Sequence, residues 1–259
     1  MSNHYHAVIF DRFGRYPEFV EHFHKLFARS QNVLRGRWEN FWSSEQVSIV
    51  RLVDRSDVID KLVYTATNPV KDGLVDKVHH WPGVNGLGAL LGRRPLRAER
   101  PRHFFRRGGA MPASVELRLT IPPELGPEDE VLEELRQRVA AAEESFAAER
   151  QRTGWRVRGR KSVLKQSWCG RPESLEPRRT LQPSVAARSK WSRMEALGRN
   201  RVFAADYVAA RDAWRAGSSV TFPAGTYWLR RHAHVPVAEE NASVDVAEAP
   251  RDPQADLQM

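Results

Sequence analysis

Chemistry in this chain concentrates in two short stretches, NHYHAVIF at residues 3–10 and YTATNPVKDGLV at residues 64–75. His4 and His6 form one of three His-x-His pairs, beside His22/His24 and His232/His234, where nine histidines in 259 residues predict well under one by chance. Backbone geometry separates the three. Strand residues two apart share a face, so His4/His6 and His232/His234 can each turn two imidazoles toward one cation. Helix residues two apart point to nearly opposite sides, so His22 and His24 are expected as polar positions flanking Phe23 and not as co-ligands. Two imidazoles need at least one further ligand to hold a hard divalent ion. His232/His234, set in LRRHAHVPV, has none at suitable spacing, which makes a metal hydrolase built on it the weakest chemical reading.

In the second stretch Tyr64 and Asn68 stand at i, i+4 of an expected helix, with Lys61 one turn earlier. A phenol, a carbonyl oxygen able to bind a cation and an ammonium then converge. Each also has a plainer reading. Tyr64 serves equally as a core aromatic with its hydroxyl at the surface, and Asn68-Pro69 as a helix end, because proline disfavours helical geometry in the residue before it.

The elements that must position these groups follow from periodicity and punctuation. SNHYHAVIF reads as a strand with Tyr5, Ala7 and Ile9 on one face and His4, His6, Val8 and Phe10 on the other. Pro17 suits the first turn of a helix whose Phe19, Val20, Phe23, Leu26 and Phe27 make an apolar face. QVSIVRLV (46–53) is a second expected strand. Ser56 or Asp57 caps a helix running through Val58, Leu62 and Val63 toward Asn68-Pro69, with Gly73 at its end. This α+β unit is expected to occupy residues 1–80. Residues 81–112 form a connector rich in Gly, Pro and Arg, with seven arginines between 93 and 107 against one acid, Glu99. Residues 113–237 read as a mostly helical α+β extension. It opens with the strand SVELRLTI, followed by a helix lined by Leu132, Leu135, Val139, Ala142 and Phe146. A basic stretch (150–171) leads to two helical segments on either side of Gly198, the second lined by Phe203, Tyr207, Ala210 and Trp214. SVTFPAGTYWLRRHAHVPV is expected as one or two strands. Residues 238–259 hold six acids and one base and are expected as a disordered tail.

Bulk composition narrows the partners. Of the 41 basic residues 34 are arginine, against 32 acids, and arginine grips phosphate bidentately and stacks on bases. Nucleic acid is the expected partner; a GC-rich genome that favours arginine codons is the bland alternative. No apolar run suits a membrane span and no secretory signal is visible. The single Cys169 excludes an internal disulfide framework and fits a reducing, bacterial-type cytoplasm.

The two motifs together resemble the single-tyrosine HUH transposases, in particular the REP-associated tyrosine transposase branch. The likeness covers residues 1 to about 80, through Met1, Asn3, His4, His6, Tyr64, Asn68, Pro69, Val70, Gly73, Leu74 and Val75 in order. RPRHFFRR and FPAGTYWLRR look like pieces of an extension seen in larger members. The resemblance implies an α+β fold with an HUH-type antiparallel sheet, here lacking the strand and helix usual upstream of His-x-His. It implies that His4, His6 and Asn68 hold Mg²⁺ or Mn²⁺ and that Tyr64 is the nucleophile, leaving a 5′-phosphotyrosine and a free 3′-OH. A tyrosine with an ordinary pKa of about 10 needs a nearby cation or base, and Lys61 is the candidate by helix spacing. Single-stranded or hairpin DNA is the implied substrate of a monomer or homodimer. Arg93, Arg94, Arg97, Arg100, Arg102, Arg106 and Arg107 are expected on its phosphates. The alternative is a descendant that binds DNA and has lost cleavage.

Overall fold

The computed structural model describes residues 4–43, 47–167, 169–170 and 183–239, so Met1, Asn3 and the acidic tail from residue 240 lie outside the described residues. The described chain is α+β, mostly helical, and divides into two compact units at Leu197/Gly198.

Helix α1 (Tyr16–Arg35) has Pro17 in its first turn and ends at Gly36, whose φ of 60° is left-handed. The Asp11 carboxylate accepts the N–H groups of Arg15 and Tyr16, each at 2.8 Å, satisfying donors that a helix start leaves unpaired. The expected apolar face is present, but no α1 residue is buried. Phe19, Phe23 and Phe27 instead pack on one another along the helix, at centroid spacings of 5.9 and 5.7 Å.

Helix α2 (Arg55–Lys71) carries the second motif. Its N-cap is Asp54, not Ser56 or Asp57. Asp57 lies three residues into the start, where its carboxylate accepts the Asp54 N–H at 3.1 Å. Pro69 lies inside the last turn and does not end the helix, which runs on to Lys71. So late in a helix its missing N–H deprives only the Thr65 carbonyl. Gly73 follows with φ of 65°, as its expected role in termination requires.

Helix α4 (Glu128–Thr153) supplies the main surface against α2. Ile59, Val63, Ala66 and Val70 of α2 form one core cluster with Val131, Leu132, Leu135 and Val139 of α4, with Ala142 and Phe146 packed at its edge. Between them the chain contributes a 3₁₀ turn at Val78–His80, the short helix α3 (Leu87–Leu91) and a second 3₁₀ turn at Pro123–Leu125. The core therefore runs across the boundaries expected at residues 80 and 112. Polar contacts reinforce the pairing. Arg55 donates to the Leu125 carbonyl at 2.7 Å and to Glu134 at 2.8 Å, and Asp60 pairs with Arg138.

The sheet content is small. Strand β1 (Arg51–Leu52) pairs in parallel with β4 (Val185–Ala186), and β2 (Leu96–Glu99) pairs with β3 (Ser114–Leu117) as an antiparallel hairpin. Residues 4–10 join no ladder, and of the strand expected over 46–53 only β1 is paired. A strand exists through its partner's backbone, and among the described residues no antiparallel partner runs beside either segment. The start of α2 is nevertheless tied to β4. Asp57, only 6% exposed, accepts the Arg188 N–H at 2.8 Å, and Asp60 pairs with the Arg188 guanidinium at 2.8 Å.

Helix α5 (Arg160–Lys165) follows α4, and α6 (Lys190–Arg215) runs unbroken through Gly198 where two segments were expected. In the second unit Phe222 is fully buried against Tyr207 and Trp214. Phe222 also bridges Val237 in parallel. The strands expected between are replaced by helix α7 (Tyr227–His232), which starts after Thr226. The Thr226 hydroxyl donates to the Pro223 carbonyl at 2.8 Å, so a Pro-initiated turn launches a helix where alternation had pointed to a strand.

Candidate functional site

The two motifs meet. The His6 ring lies edge-on to the Tyr64 ring at 5.3 Å between centroids, and His4 lies edge-on to His6 at 5.0 Å. Although residues 4–10 form no ladder, the two-sided alternation of a strand persists. Tyr5 faces the other way, onto Phe23, His24 and Trp42 at 5.4, 5.7 and 6.0 Å. Its hydroxyl hydrogen-bonds to His24 Nε2 at 2.6 Å, and burial raises its pKa above the usual value. His24 is further fixed by Trp42, which stacks on it at 4.3 Å and donates Nε1–H to its carbonyl at 3.0 Å. His24 is thus the anchor of an aromatic cluster that holds the His4/His6 segment against α1, a role its position beside Phe23 did not reveal.

On α2, Lys61, Tyr64, Asn68 and Lys71 fall at i, i+3, i+7 and i+10, one stripe of the helix. The Lys61 ammonium is 5.5 Å from the Tyr64 ring centre and the Lys71 ammonium 5.2 Å, so two cations flank the phenol. Lys71 was not singled out from the sequence, although its spacing of seven from Tyr64 was the available signal. Partial burial, and then the like charge of His4, hold the His6 pKa below its ordinary value; Asp72 opposes this shift and Lys61 adds to it. A neutral imidazole keeps a lone pair free for a cation.

Among the described residues no group of three or more His, Cys, Asp and Glu is arranged to hold a metal ion. Asn68, the third ligand that the resemblance implies, is of another type. Asn68 is 3% exposed, and its Oδ1 is buried without a hydrogen-bond partner among the described residues. Such an orphan oxygen costs about 1–3 kcal/mol unless something compensates it. A carbonyl oxygen with two imidazoles is a donor set that Mg²⁺ or Mn²⁺ accepts. Its neighbour Thr67, equally buried, is satisfied by donating its hydroxyl to the Val63 carbonyl at 2.8 Å.

His232 and His234 do not make the strand pair expected of them. His232 closes α7 with its ring 4.5 Å from Trp228, and His234 follows in left-handed geometry at φ 52°. His22 and His24 lie on α1 as expected.

The seven connector arginines divide by circumstance. Arg93 pairs with Glu128 and Asp129, and Arg97 with Glu116 at 2.7 Å across the β2–β3 hairpin. Arg100 closes the hairpin loop by donating to the carbonyls of Arg107 and Met111 at 2.6 and 2.8 Å. Arg94, Arg102, Arg106 and Arg107 are exposed and make no ion pair among the described residues. Phe104 and Phe105 pack edge to face at 4.8 Å between them, and His103 ties the loop to α1 through Ser30 at 3.1 Å. No helix among the described residues is long and apolar enough to cross a membrane.

Comparisons with protein-family models, with curated proteins and with solved structures find no match.

Proposed function

We propose that this chain is a metal-dependent DNA strand transferase of the single-tyrosine HUH kind, acting on single-stranded or hairpin DNA. The observation that carries the reading is the meeting of His6 with Tyr64 across 58 residues of sequence, at 5.3 Å between rings. Around that contact the chain gathers a phenol, two imidazoles and two ammonium groups, which supports phosphoryl transfer to tyrosine.

In this reading Tyr64 Oη attacks the phosphorus of a DNA phosphodiester. A phosphorus–Oη bond forms, the bond from phosphorus to the 3′ oxygen breaks, the phenol loses its proton and the departing 3′ oxygen gains one. The product is a 5′-phosphotyrosine with a free 3′-OH, and because the ester is conserved the reverse attack rejoins strands without a nucleotide cofactor. Lys61 and Lys71 counter the charge of phenolate and phosphate on either side of the ring. His4, His6 and Asn68 would hold a divalent ion, which polarises the phosphodiester when bound. The Tyr5–His24–Trp42 cluster positions the two histidines.

The test is an adduct that survives SDS. Incubated with Mn²⁺ and a labelled single-stranded hairpin, the chain should become covalently linked to the 5′ end of the cleaved DNA. Tyr64→Phe should abolish the link while leaving DNA binding intact. His4→Ala and His6→Ala should reduce it at least a hundredfold, whereas His22→Ala, His232→Ala and His234→Ala should leave it. An adduct persisting in Tyr64→Phe overturns the assignment. DNA binding without an adduct on any hairpin selects the descendant that binds and does not cut.

A further inference from the structure

Beyond α4 the chain turns back onto the C-terminal end of α2. Arg158 N–H donates to the Gly73 carbonyl at 2.9 Å, and Gly159 N–H to the Leu74 carbonyl at 3.0 Å. The Trp155 ring lies against Gly73 so closely that a Cβ there would sit 2.8 Å from Trp155 Cζ2. Trp155 nevertheless keeps 52% of its surface exposed. A short strap is thus fastened to the end of the helix that bears Tyr64.

The strap is unusually charged. Residues 154–170 contain Arg156, Arg158, Arg160, Lys161 and Lys165 and no acid. All five are exposed, and none makes an ion pair among the described residues. Arg158 does donate to the neutral Gln166 amide at 3.1 Å. Helix α4 behaves in the opposite way: Arg136 pairs with Glu133, Arg138 with Asp60 and Arg152 with Glu149. Uncompensated charge therefore lies at the strap, as it does at Arg94, Arg102, Arg106 and Arg107 of the connector. Lys71, two residues before Gly73, continues it toward the site, its ammonium 5.2 Å from the Tyr64 ring. From Tyr64 to Lys71, where it ends, the helix rises about 10 Å.

We propose that residues 155–165 form a binding surface for single-stranded nucleic acid that runs on from Tyr64. Trp155 offers its open face to an unpaired base, and Arg156, Arg158, Arg160 and Lys161 take successive phosphates. A single strand is the occupant that fits, because a half-exposed indole needs a free base face and duplex bases hide theirs. The placement beside Tyr64 rests on the function proposed above, but binding itself needs no cleavage.

Fluorescence anisotropy of labelled oligo(dT) of 20 nucleotides tests this at several salt concentrations. The triple variant Arg156→Gln/Arg160→Gln/Lys161→Gln should bind at least tenfold more weakly and lower the steepness of log K against log salt by about 2. Trp155→Ala should weaken binding roughly 5- to 150-fold, the range for losing one stacked base, and Trp155→Phe should keep most of it. Should Trp155→Ala fail to fold, as judged by circular dichroism, the triple variant decides, since its side chains are exposed. Unchanged affinity and salt slope in the triple variant overturn the proposal. So does wild-type chain that binds phosphatidylserine vesicles and not oligo(dT). Loss of binding in the triple variant, with no adduct from wild type, leaves the surface standing and removes Tyr64 as nucleophile; an adduct with unchanged binding does the reverse.

Discussion

At the scale of single residues, the Oδ1 of Asn68 is the sharpest feature, because a buried oxygen without a partner works against folding. Asn68→Leu replaces the amide with an apolar group of the same branching and heavy-atom count. The metal-free variant should be at least as stable as wild type, and up to about 2 kcal/mol more so, by urea midpoint. Mn²⁺ should raise the melting temperature of wild type and not of Asn68→Leu. A clear loss of metal-free stability would show that the oxygen is already satisfied. His6 makes a second residue-level prediction. Its pKa lies below the ordinary 6.5 in the folded chain, burial being the first cause and His4 the second. The unfolded chain therefore takes up this proton first as pH falls. Stability should decline as pH drops through about 6.5 and level off beneath the folded value. His6→Gln should lose less stability than wild type between pH 7.5 and 5.5, by a modest margin because the ring is partly solvated. Of the residues singled out in the sequence, His4, His6 and Tyr64 are brought together, His6 meeting both other rings. The roles of Lys71 and His24 were not legible there, since what they do depends on which ring each one meets.

At the scale of elements, glycine acts in opposite ways inside one helix and just past the end of another. Gly198 lies inside α6, with nothing among the described residues within 4 Å of where a Cβ would go. Gly198→Ala should stabilise the protein by roughly 1 kcal/mol, read as a raised denaturation midpoint. Gly73 has φ of 65° and the Trp155 ring against it. Gly73→Ala should cost about 1 kcal/mol or more and should increase protease cutting within residues 155–165 as the strap loosens. The same contrast explains what was legible at this scale. Helices α1, α2 and α4 announce themselves through apolar spacing. Reading Gly198 as a break overweights a penalty of about 1 kcal/mol against the hydrogen bonds of a 26-residue helix. The strand expected over 46–53 shrank to β1 because alternation reports a face to bury and not a neighbour to pair with.

At the scale of the molecule, the first unit is held together by contacts far apart in sequence. Ile59 and Val70 of α2 and Val131 and Leu135 of α4 are fully buried, and burial of such a side chain contributes about 1.5–3 kcal/mol. A chain ending at residue 112 loses α4 and leaves this stripe of α2 in water. It should show little cooperative unfolding by circular dichroism and rapid proteolysis, whereas a chain ending at residue 197 should keep the α2–α4 core protected. The charge balance pointed to a polyanion from composition alone, but which arginines stay unpaired was not readable, because ion pairs such as Arg138 with Asp60 join residues 78 apart.

The ties at the start of α2 carry a consequence for how the protein is made. Asp57 and Asp60 are met by residue 188, more than a hundred positions after α2 is complete. At ribosomal speeds of about 5–20 residues per second, the helix bearing Tyr64 waits on the order of ten seconds for that clasp. A nascent chain thus carries Tyr64 on a helix whose start stays unclasped until nearly the whole first unit has been synthesised.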